Sequence, residues 1–260
     1  MTTITKPQSN SLNNHVGGVF VLTVQTFHQR IAHIKEQLDR HGIQFEFIFK
    51  HDIEQMESAT LERSFAPSDL QDQHKSLVLK HIEALRIAEE RGLDRILVFE
   101  DDVILADNFV PKLIEAIEAA NNIEPGYLIF LSGGNTKVPF DYFLSNQTLY
   151  PHPIATAEGY VTDQTAIQRR LAWLENNKIT LPADHLIRHI DEAVGNRQFW
   201  LRHPIASQGS VTGVFDSVLD GHRQKHNKVF NLMRYYWTRF KRRIFMDWLA
   251  KIYHLFSKQK

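Results

Sequence analysis

The chain has 260 residues, of which 43% are hydrophobic and 23% are charged, so it carries enough apolar material for one large core. The lack of a long apolar run argues against a membrane span, the polar N-terminus argues against export, and the absence of cysteine excludes disulfides and thiol chemistry and favours a cytoplasmic location. Thirty basic and thirty acidic residues balance overall, but residues 226–260 hold nine of the bases and one acid, Asp247, which leaves the rest of the chain acidic.

Apolar patterns along the first half of the chain predict alternating strands and helices. Strands are predicted at 17–24, 43–49, 95–99 and 127–131, and helices at about 27–42, 71–91 and 107–120. Gly42 and Gly92 are expected to end the first two helices, and Asp107 is a candidate cap for the third. Strand–helix units of this length predict an α/β fold with a mainly parallel sheet covered on both faces.

Three consecutive acids, Glu100, Asp101 and Asp102, follow the predicted strand at 95–99. Ligands of open α/β sheets bind beyond the carboxyl ends of the strands, which is where these acids are placed. Neighbouring carboxylates disfavour one another's ionisation unless a cation or bulk water lies among them. A metal site is therefore the preferred interpretation, and the alternative is a solvated strand end whose acids cap the next helix.

Several stretches between about residues 18 and 215 resemble glycosyltransferase family 25, the bacterial lipooligosaccharide and collagen sugar transferases. In chain order they are VFVLTV with Arg30 after it, GIQFEFIF (42–49) with Asp52 after it, LVLKHIEAL (77–85) with His81, ILVFEDDV (96–103), TAEGYVT (156–162) with Tyr160, PADHLI (182–187) with Asp184, and PIASQGS (204–210) with Gln208. The chain departs from the family at Lys80, where a serine is usual, and it lacks the Gly-Cys that precedes that serine.

The resemblance implies a GT-A-like (Rossmann-like) fold in which acids hold a divalent metal, Mn²⁺ or Mg²⁺, against the diphosphate of a nucleotide sugar. Such an ion neutralises the charge that develops on the departing phosphate. Residues two apart near a strand end project to the same side, so Glu100 and Asp102 are assigned to the metal or its bound water. Asp101 is then assigned to sugar or ribose hydroxyls.

Inversion of the sugar's configuration also requires a general base for the acceptor hydroxyl. Asp184 is the candidate that the resemblance implies, and a helix N-cap is the alternative for this residue. Glu158 and Asp163 are the further candidates for the base.

Other polar residues are candidates for substrate binding, each with a structural alternative. Arg30 is expected to meet phosphate or to lie on the surface, and His81 to contact substrate or to be a hydrogen-bonded core histidine. Tyr160 is expected to act mainly in packing. Asp52 and Gln208 are placed among the substrate-binding residues because they match the family's pattern.

Three further features are weaker candidates for the site. His203 or His222 could supply a third metal ligand, and Lys137 could meet phosphate. The segment SGGN (132–135) could let a sugar approach the backbone, or it could form a plain tight turn.

The resulting functional hypothesis is a metal-dependent transfer of galactose or glucose from a UDP-sugar to a saccharide of lipooligosaccharide or another surface glycan. The alternatives are a catalytically degenerate transferase that acts as a membrane-associated interaction module, and a metal-dependent phosphohydrolase.

The sequence divides into a flexible N-terminus (1–17), a transferase domain (18–225) and a basic aromatic tail (226–260) that predicts an amphipathic helix. Wound as a helix, the tail places one stripe of apolar side chains opposite its arginines; the stripe consists of Val229, Met233, Tyr236, Trp237, Phe240, Ile244 and Trp248. We expect it to bind the anionic inner face of the cytoplasmic membrane. A helix packed on the acidic body and a nucleic-acid contact are the alternatives, and the second is not expected.

Overall fold

The structure is a computed structural model that describes residues 12–132, 139–145, 147–153, 156–209, 233, 236–238 and 240–257. Its strands are β1 Gly18–Leu22, β2 Glu46–Ile48, β3 Arg95–Glu100, β4 Val103–Leu105, β5 Tyr127–Phe130, β6 Leu149–Pro151, β7 Gly159–Asp163, β8 Arg197–Leu201 and β9 Ala206–Gln208. Its α-helices are α1 His28–Arg40, α2 Ser58–Ser64, α3 Asp72–Glu90, α4 Phe109–Ala120, α5 Asp141–Leu144, α6 Gln164–Asn176, α7 Ala183–Val194 and α8 Met246–Ser257.

The main sheet has the strand order β2-β1-β3-β7-β5-β8-β6. Five of its strands run in the same direction, whereas β7 and β6 run the opposite way. The strands β1, β3 and β5 are almost continuous apolar runs, as strands buried on both faces require. The predicted α/β fold with a mainly parallel, helix-covered sheet is confirmed. A separate antiparallel pair joins β4 to β9.

Two apolar layers fill the space between the sheet and its helices. On one face α1 and α4 contribute Ile34 and Leu113, and on the other α3 and α7 contribute Ile82 and Ile187. Ile34 and Leu113 are completely buried. Burial of each such side chain contributes about 1.5–3 kcal/mol to folding, so both layers hold the helices firmly against the sheet.

Most of the predicted elements are present, with shorter strands than expected. Gly42 and Gly92 adopt φ values of +64° and +63°, the left-handed conformation that ends a helix. The prediction that Asp107 caps α4 is wrong. The N-cap residue is Asn108, which makes no side-chain capping bond, and Asp107 is exposed at 3.8 Å from Arg40.

The N-terminal segment packs on the body from residue 12 onward. Leu12 and Val16 are buried in the layer beneath α4, and Asn13 exchanges two hydrogen bonds of 3.0 Å with the backbone of Gln44. The expectation of a flexible N-terminus therefore fails for residues 12–17.

The tail is helical over residues 241–257, as the sequence predicts. A π-helical turn, Lys241–Phe245, leads into α8, which packs on α5 with Ala250 buried at the contact. None of the described helices is long and apolar enough to cross a membrane.

Candidate active site

One edge of the main sheet gathers the polar side chains that the sequence singles out. The carboxyl ends of β1, β2, β3, β5 and β8 lie at this edge because these strands are parallel. The antiparallel strand β7 begins at the same edge, so Glu158, which precedes it, lies beside the acids at the end of β3. The Glu100 backbone N–H donates to the Glu158 carbonyl at 3.0 Å. We call this edge the catalytic edge because it carries the candidate catalytic residues.

The catalytic edge holds a cluster of carboxyl groups. Burial raises the pKa of Glu100 well above its usual value, and nearby negative charges raise it further. The carboxylates that do so, in falling order of effect, are those of Asp102, Glu158, Asp101 and Asp184. Burial also raises the pKa of Glu158, although the nearby Ser132 side chain opposes this shift. Acids from three separate parts of the chain therefore influence one another electrostatically.

Asp101 is held by two partners from the neighbouring strand and helix. The Thr23 hydroxyl donates to one carboxylate oxygen at 2.6 Å, and the Arg30 guanidinium donates to the other at 2.9 Å. The Arg30 side chain is 15% exposed, so the expectation that it lies on the surface is wrong. These bonds fix Asp101 as an oriented carboxylate at the catalytic edge.

Asp52 is paired with a buried lysine at the end of β2. The Lys80 ammonium donates to the carboxylate of Asp52 at 2.6 Å and to the carbonyls of Phe49 and Lys50 at 2.9 and 3.0 Å. The Gln25 backbone N–H donates to the second carboxylate oxygen at 2.9 Å. Burial lowers the pKa of Lys80, while Asp52 opposes that shift. Lys80, where the family usually has serine, therefore fastens the turn that carries Asp52.

This turn includes a residue in a costly backbone conformation. His51 has φ of +72°, which costs an ordinary residue about 1–2 kcal/mol. The Ser76 hydroxyl donates to its carbonyl at 2.6 Å, and Glu83 lies 3.4 Å from its imidazole. These contacts hold the turn in its strained conformation, because such a conformation persists only when the surrounding structure fixes it.

His81 and Tyr160 lie beneath the acid cluster. The imidazole Nδ1 and the phenol oxygen are 3.0 Å apart, and Nε2 lies 3.9 Å from a Glu100 carboxylate oxygen. Burial, aided by the charge of Arg170, lowers the pKa of His81 to about 3, so the ring is neutral. His81 is therefore a hydrogen-bonded core histidine that lies beneath Glu100.

Asp184 lies in the first turn of α7, half-buried, where its carboxylate accepts a hydrogen bond of 2.8 Å from the His185 backbone N–H. The alternative of a helix N-cap is wrong because Pro182 occupies that position. Asp163 is excluded as a base because it lies at the opposite edge of the sheet, where it accepts bonds from the backbone N–H groups of Gly126 and Tyr127.

Gln208 is the last residue of β9 and lies opposite Val103 in the β4–β9 pair. The next residue, Gly209, donates its N–H to the Asp102 carbonyl at 2.7 Å. This bond holds the segment that contains Gln208 beside the acid cluster.

The two histidines that were candidates for a third metal ligand, His203 and His222, have different outcomes. His203 follows β8 and pairs through Nε2 with Asp247 at 2.9 Å, so its described partner is the tail. His222, Lys137 and the stretch 133–135 lie outside the described residues, as does Ser210.

Residues 17–187 match a family described as glycosyltransferase family 25 (LPS biosynthesis protein). The chain belongs to glycosyltransferase family 25. As a member, the protein is a glycosyltransferase, an enzyme that uses a nucleotide-sugar donor and a saccharide acceptor. None of the curated proteins compared with this transferase matches it.

Two solved structures show partial similarity to the transferase. One is a glycosyltransferase involved in the glycosylation of the major capsid of PBCV-1, with a TM-score of 0.44, 10% identity, and coverage of 85% of this chain and 99% of the other. The second is a mannose-1-phosphate geranyltransferase from Thermus thermophilus, with a TM-score of 0.28, 13% identity, and coverage of 71% and 72%. Both TM-scores are too low to assign a common fold.

The acids of the transferase suit a divalent metal that also binds substrate. The described residues contain no group of three or more histidines and acids arranged to enclose an ion. Mg²⁺ in phosphate-transfer sites is usually bound by one or two carboxylates together with phosphates and water. Glu100 and Asp102 offer two hard oxygen donors, and a cation would relieve the repulsion that raises the pKa of Glu100.

Two partners in this site were not identified from the sequence. Thr23 directly follows β1, so its place at the catalytic edge could have been inferred, but nothing in the sequence links it to Asp101. Lys80 was visible as a departure from the family, yet its contacts with the turn after β2 depend on how α3 crosses the sheet.

Proposed function

We propose that this transferase moves a hexose, galactose or glucose, from its UDP form to a saccharide of lipooligosaccharide or another surface glycan. The proposal rests mainly on the convergence of Asp184, Glu158 and the acids at the end of β3 at one sheet edge in a family 25 chain. A site lined only by uncharged side chains would bind a sugar, whereas clustered acids suit a metal-bound diphosphate and a proton transfer.

The donor would lie along the ends of β1, β2 and β3 in a GT-A-like arrangement. Glu100 and Asp102 would hold Mn²⁺ or Mg²⁺, which when bound stabilises the negative charge of the departing diphosphate. Asp101, oriented by Thr23 and Arg30, would accept hydrogen bonds from ribose or sugar hydroxyls.

The remaining candidates have narrower roles in this proposal. Asp52 and Gln208 would line the two sides of the substrate site. His81 and Tyr160 would act on substrate through Glu100, because both are buried beneath it. Arg30 would contribute positive charge near the phosphates while it holds Asp101.

Asp184 would act as the general base. Its carboxylate would take the proton from the acceptor hydroxyl as that oxygen forms a bond with the anomeric carbon. The bond from this carbon to the phosphate oxygen breaks in the same step, and its electron pair leaves with UDP, so the configuration inverts. A positioned base of this kind typically contributes about 10²–10⁴-fold to the rate.

The acceptor would be reached at a membrane surface. The tail carries the excess of basic and aromatic residues that suits an anionic leaflet, and the transferase would be peripheral on the inner face of the cytoplasmic membrane.

The proposal is tested by thermal-shift screening of nucleotide sugars with and without Mn²⁺, followed by measurement of UDP release with saccharide acceptors. UDP-galactose or UDP-glucose should raise the melting temperature in the presence of Mn²⁺, since a ligand of the folded state stabilises it. Stabilisation without transfer to any acceptor would favour the degenerate transferase. Hydrolysis of simple phosphate esters without stabilisation by any nucleotide sugar would favour the phosphohydrolase.

A further inference from the structure

Helix α8 turns an apolar face away from the body of the protein. Its exposed side chains include Trp248, Leu255 and Phe256, which are 56%, 68% and 70% exposed. Leu249 and Ile252 lie on the same face and are half-buried. The spacing of these five residues is that of one side of an α-helix, so they form a continuous surface, which we call the outer face.

The opposite side of α8 attaches the helix to the body. Ala250 is 2% exposed and lies in the contact. Asp247, the one acid of the tail, is half-buried in this contact as well. The helix is therefore amphipathic in an unusual sense, because its small and acidic residues meet the protein and its large apolar residues meet solvent.

Asp247 is bound by the side chains of an arginine and a histidine that directly follow β8. One carboxylate oxygen accepts from Arg202 Nη2 at 2.9 Å and from Nε at 3.2 Å, and the other lies 2.9 Å from His203 Nε2. Arg202 also donates to the carbonyls of Phe143 and Ser145 at 2.8 and 2.7 Å. We call the contact of Asp247 with Arg202 and His203 the clamp.

The clamp lies at the catalytic edge. Arg202 and His203 follow the carboxyl end of β8, and the same segment continues through β9 to Gly209, whose N–H binds the Asp102 carbonyl at 2.7 Å. Eight consecutive residues, 202–209, thus connect the attachment of α8 to one of the acids. The outer face and the acid cluster are consequently held on the same part of the molecule.

We propose that the outer face docks on an anionic lipid surface and that the clamp fixes the catalytic edge beside that surface. This inference rests on the membrane binding given above as part of the proposed function. We assign a lipid surface as the partner of the outer face because Trp and Leu side chains suit the lipid. The exposed Lys241 and Lys251 flank them in a tail of strong positive charge, which suits anionic headgroups. Lys251 borders the outer face, where its long stem lets the ammonium reach the headgroups.

The docking surface is tested by co-sedimentation of the full chain with vesicles of phosphatidylcholine mixed with phosphatidylglycerol, and with vesicles of phosphatidylcholine alone. The wild type should sediment with the anionic vesicles and be released in 1 M NaCl, where the screening length falls to about 3 Å. The double substitution Leu255→Ser/Phe256→Ser should reduce the bound fraction at least about tenfold, because two large apolar side chains no longer enter the lipid.

The clamp is tested with Asp247→Asn, which keeps the size of the side chain and removes its charge. Asp107→Asn is the matched control, since it makes the same charge change at a fully exposed residue that is not part of the clamp. Both variants should still sediment with anionic vesicles, because the outer face and the basic residues are intact. Vesicles should slow amide hydrogen exchange in residues 202–209 of the wild type and the control, but not of Asp247→Asn.

The possible results separate the claims. A wild type that fails to sediment would overturn membrane docking, whereas nucleotide-sugar binding by the same sample would leave the transferase proposal standing. Sedimentation with equal protection of residues 202–209 in Asp247→Asn would overturn the clamp alone. A concentration-dependent dimer in light scattering, abolished by Leu255→Ser/Phe256→Ser, would show that a second copy covers the outer face, and this too would overturn the proposal.

Discussion

Replacement of Lys80 by methionine should destabilise the transferase strongly, because Lys80 is the buried cation that satisfies Asp52 and the turn after β2. The side chains of Lys80 and Asp52 are 2% and 5% exposed, so water does not take over the lost bonds. Removal of one partner from such a buried pair costs about 3–5 kcal/mol. For a chain of this size that corresponds to a fall of about 6–20 °C in melting temperature.

The effect is measured by chemical unfolding followed by far-ultraviolet circular dichroism. Lys75→Met is the control in the same helix, since its partner Asp72 is 57% exposed and the pair should contribute under about 1 kcal/mol. The double variant Lys80→Met/Asp52→Asn should recover at least about 1 kcal/mol relative to Lys80→Met, because no unpaired charge stays buried. A loss under about 1 kcal/mol in Lys80→Met, or no recovery in the double variant, would refute this reasoning.

Three further predictions concern the acids and His81. Asp102→Asn should lower kcat/KM about 10²-fold or more and weaken donor binding in Mn²⁺ while circular dichroism shows an intact fold, and near-normal activity would contradict its metal role. Asp184→Asn should lower kcat about 10²–10⁴-fold with donor affinity within about twofold, whereas a variant that only melts earlier would argue against a base. The folded pKa of His81 is about 3, below the ordinary value of 6.5, so the unfolded chain binds the extra proton between these values and stability falls as the pH falls. Between pH 7.5 and 5 this residue should cost about 2 kcal/mol of unfolding free energy in the wild type, and His81→Gln should show a correspondingly flatter pH profile in urea titrations.

The parts of the fold that follow local rules could be predicted from the sequence. Strand β3 and the helix ends at Gly42 and Gly92 depend on neighbouring residues alone. The structure agrees with the predictions for both. The placement of the acids at the carboxyl end of β3 followed from the same reasoning. The capping of α4 was mistaken because Asp107 and Asn108 are adjacent residues of similar capping preference.

The long-range parts of the site could not be predicted. The antiparallel strand β7 lies between β3 and β5, and only this pairing brings Glu158 to the catalytic edge. Arg30 seemed a surface residue because its partner, Asp101, is distant in sequence and close only across two parallel strands. The clamp at Asp247 likewise joins segments that no local pattern relates.

The central claim, that the acids at the end of β3 bind a nucleotide sugar together with a divalent metal, is tested most directly by calorimetric titration of UDP into the full chain. With Mn²⁺ present the wild type should bind UDP at least about tenfold more tightly than with the metal removed, and Asp102→Asn should lose this difference. Equal UDP affinity with and without Mn²⁺ in the wild type, or an unchanged metal effect in Asp102→Asn, would contradict the claim.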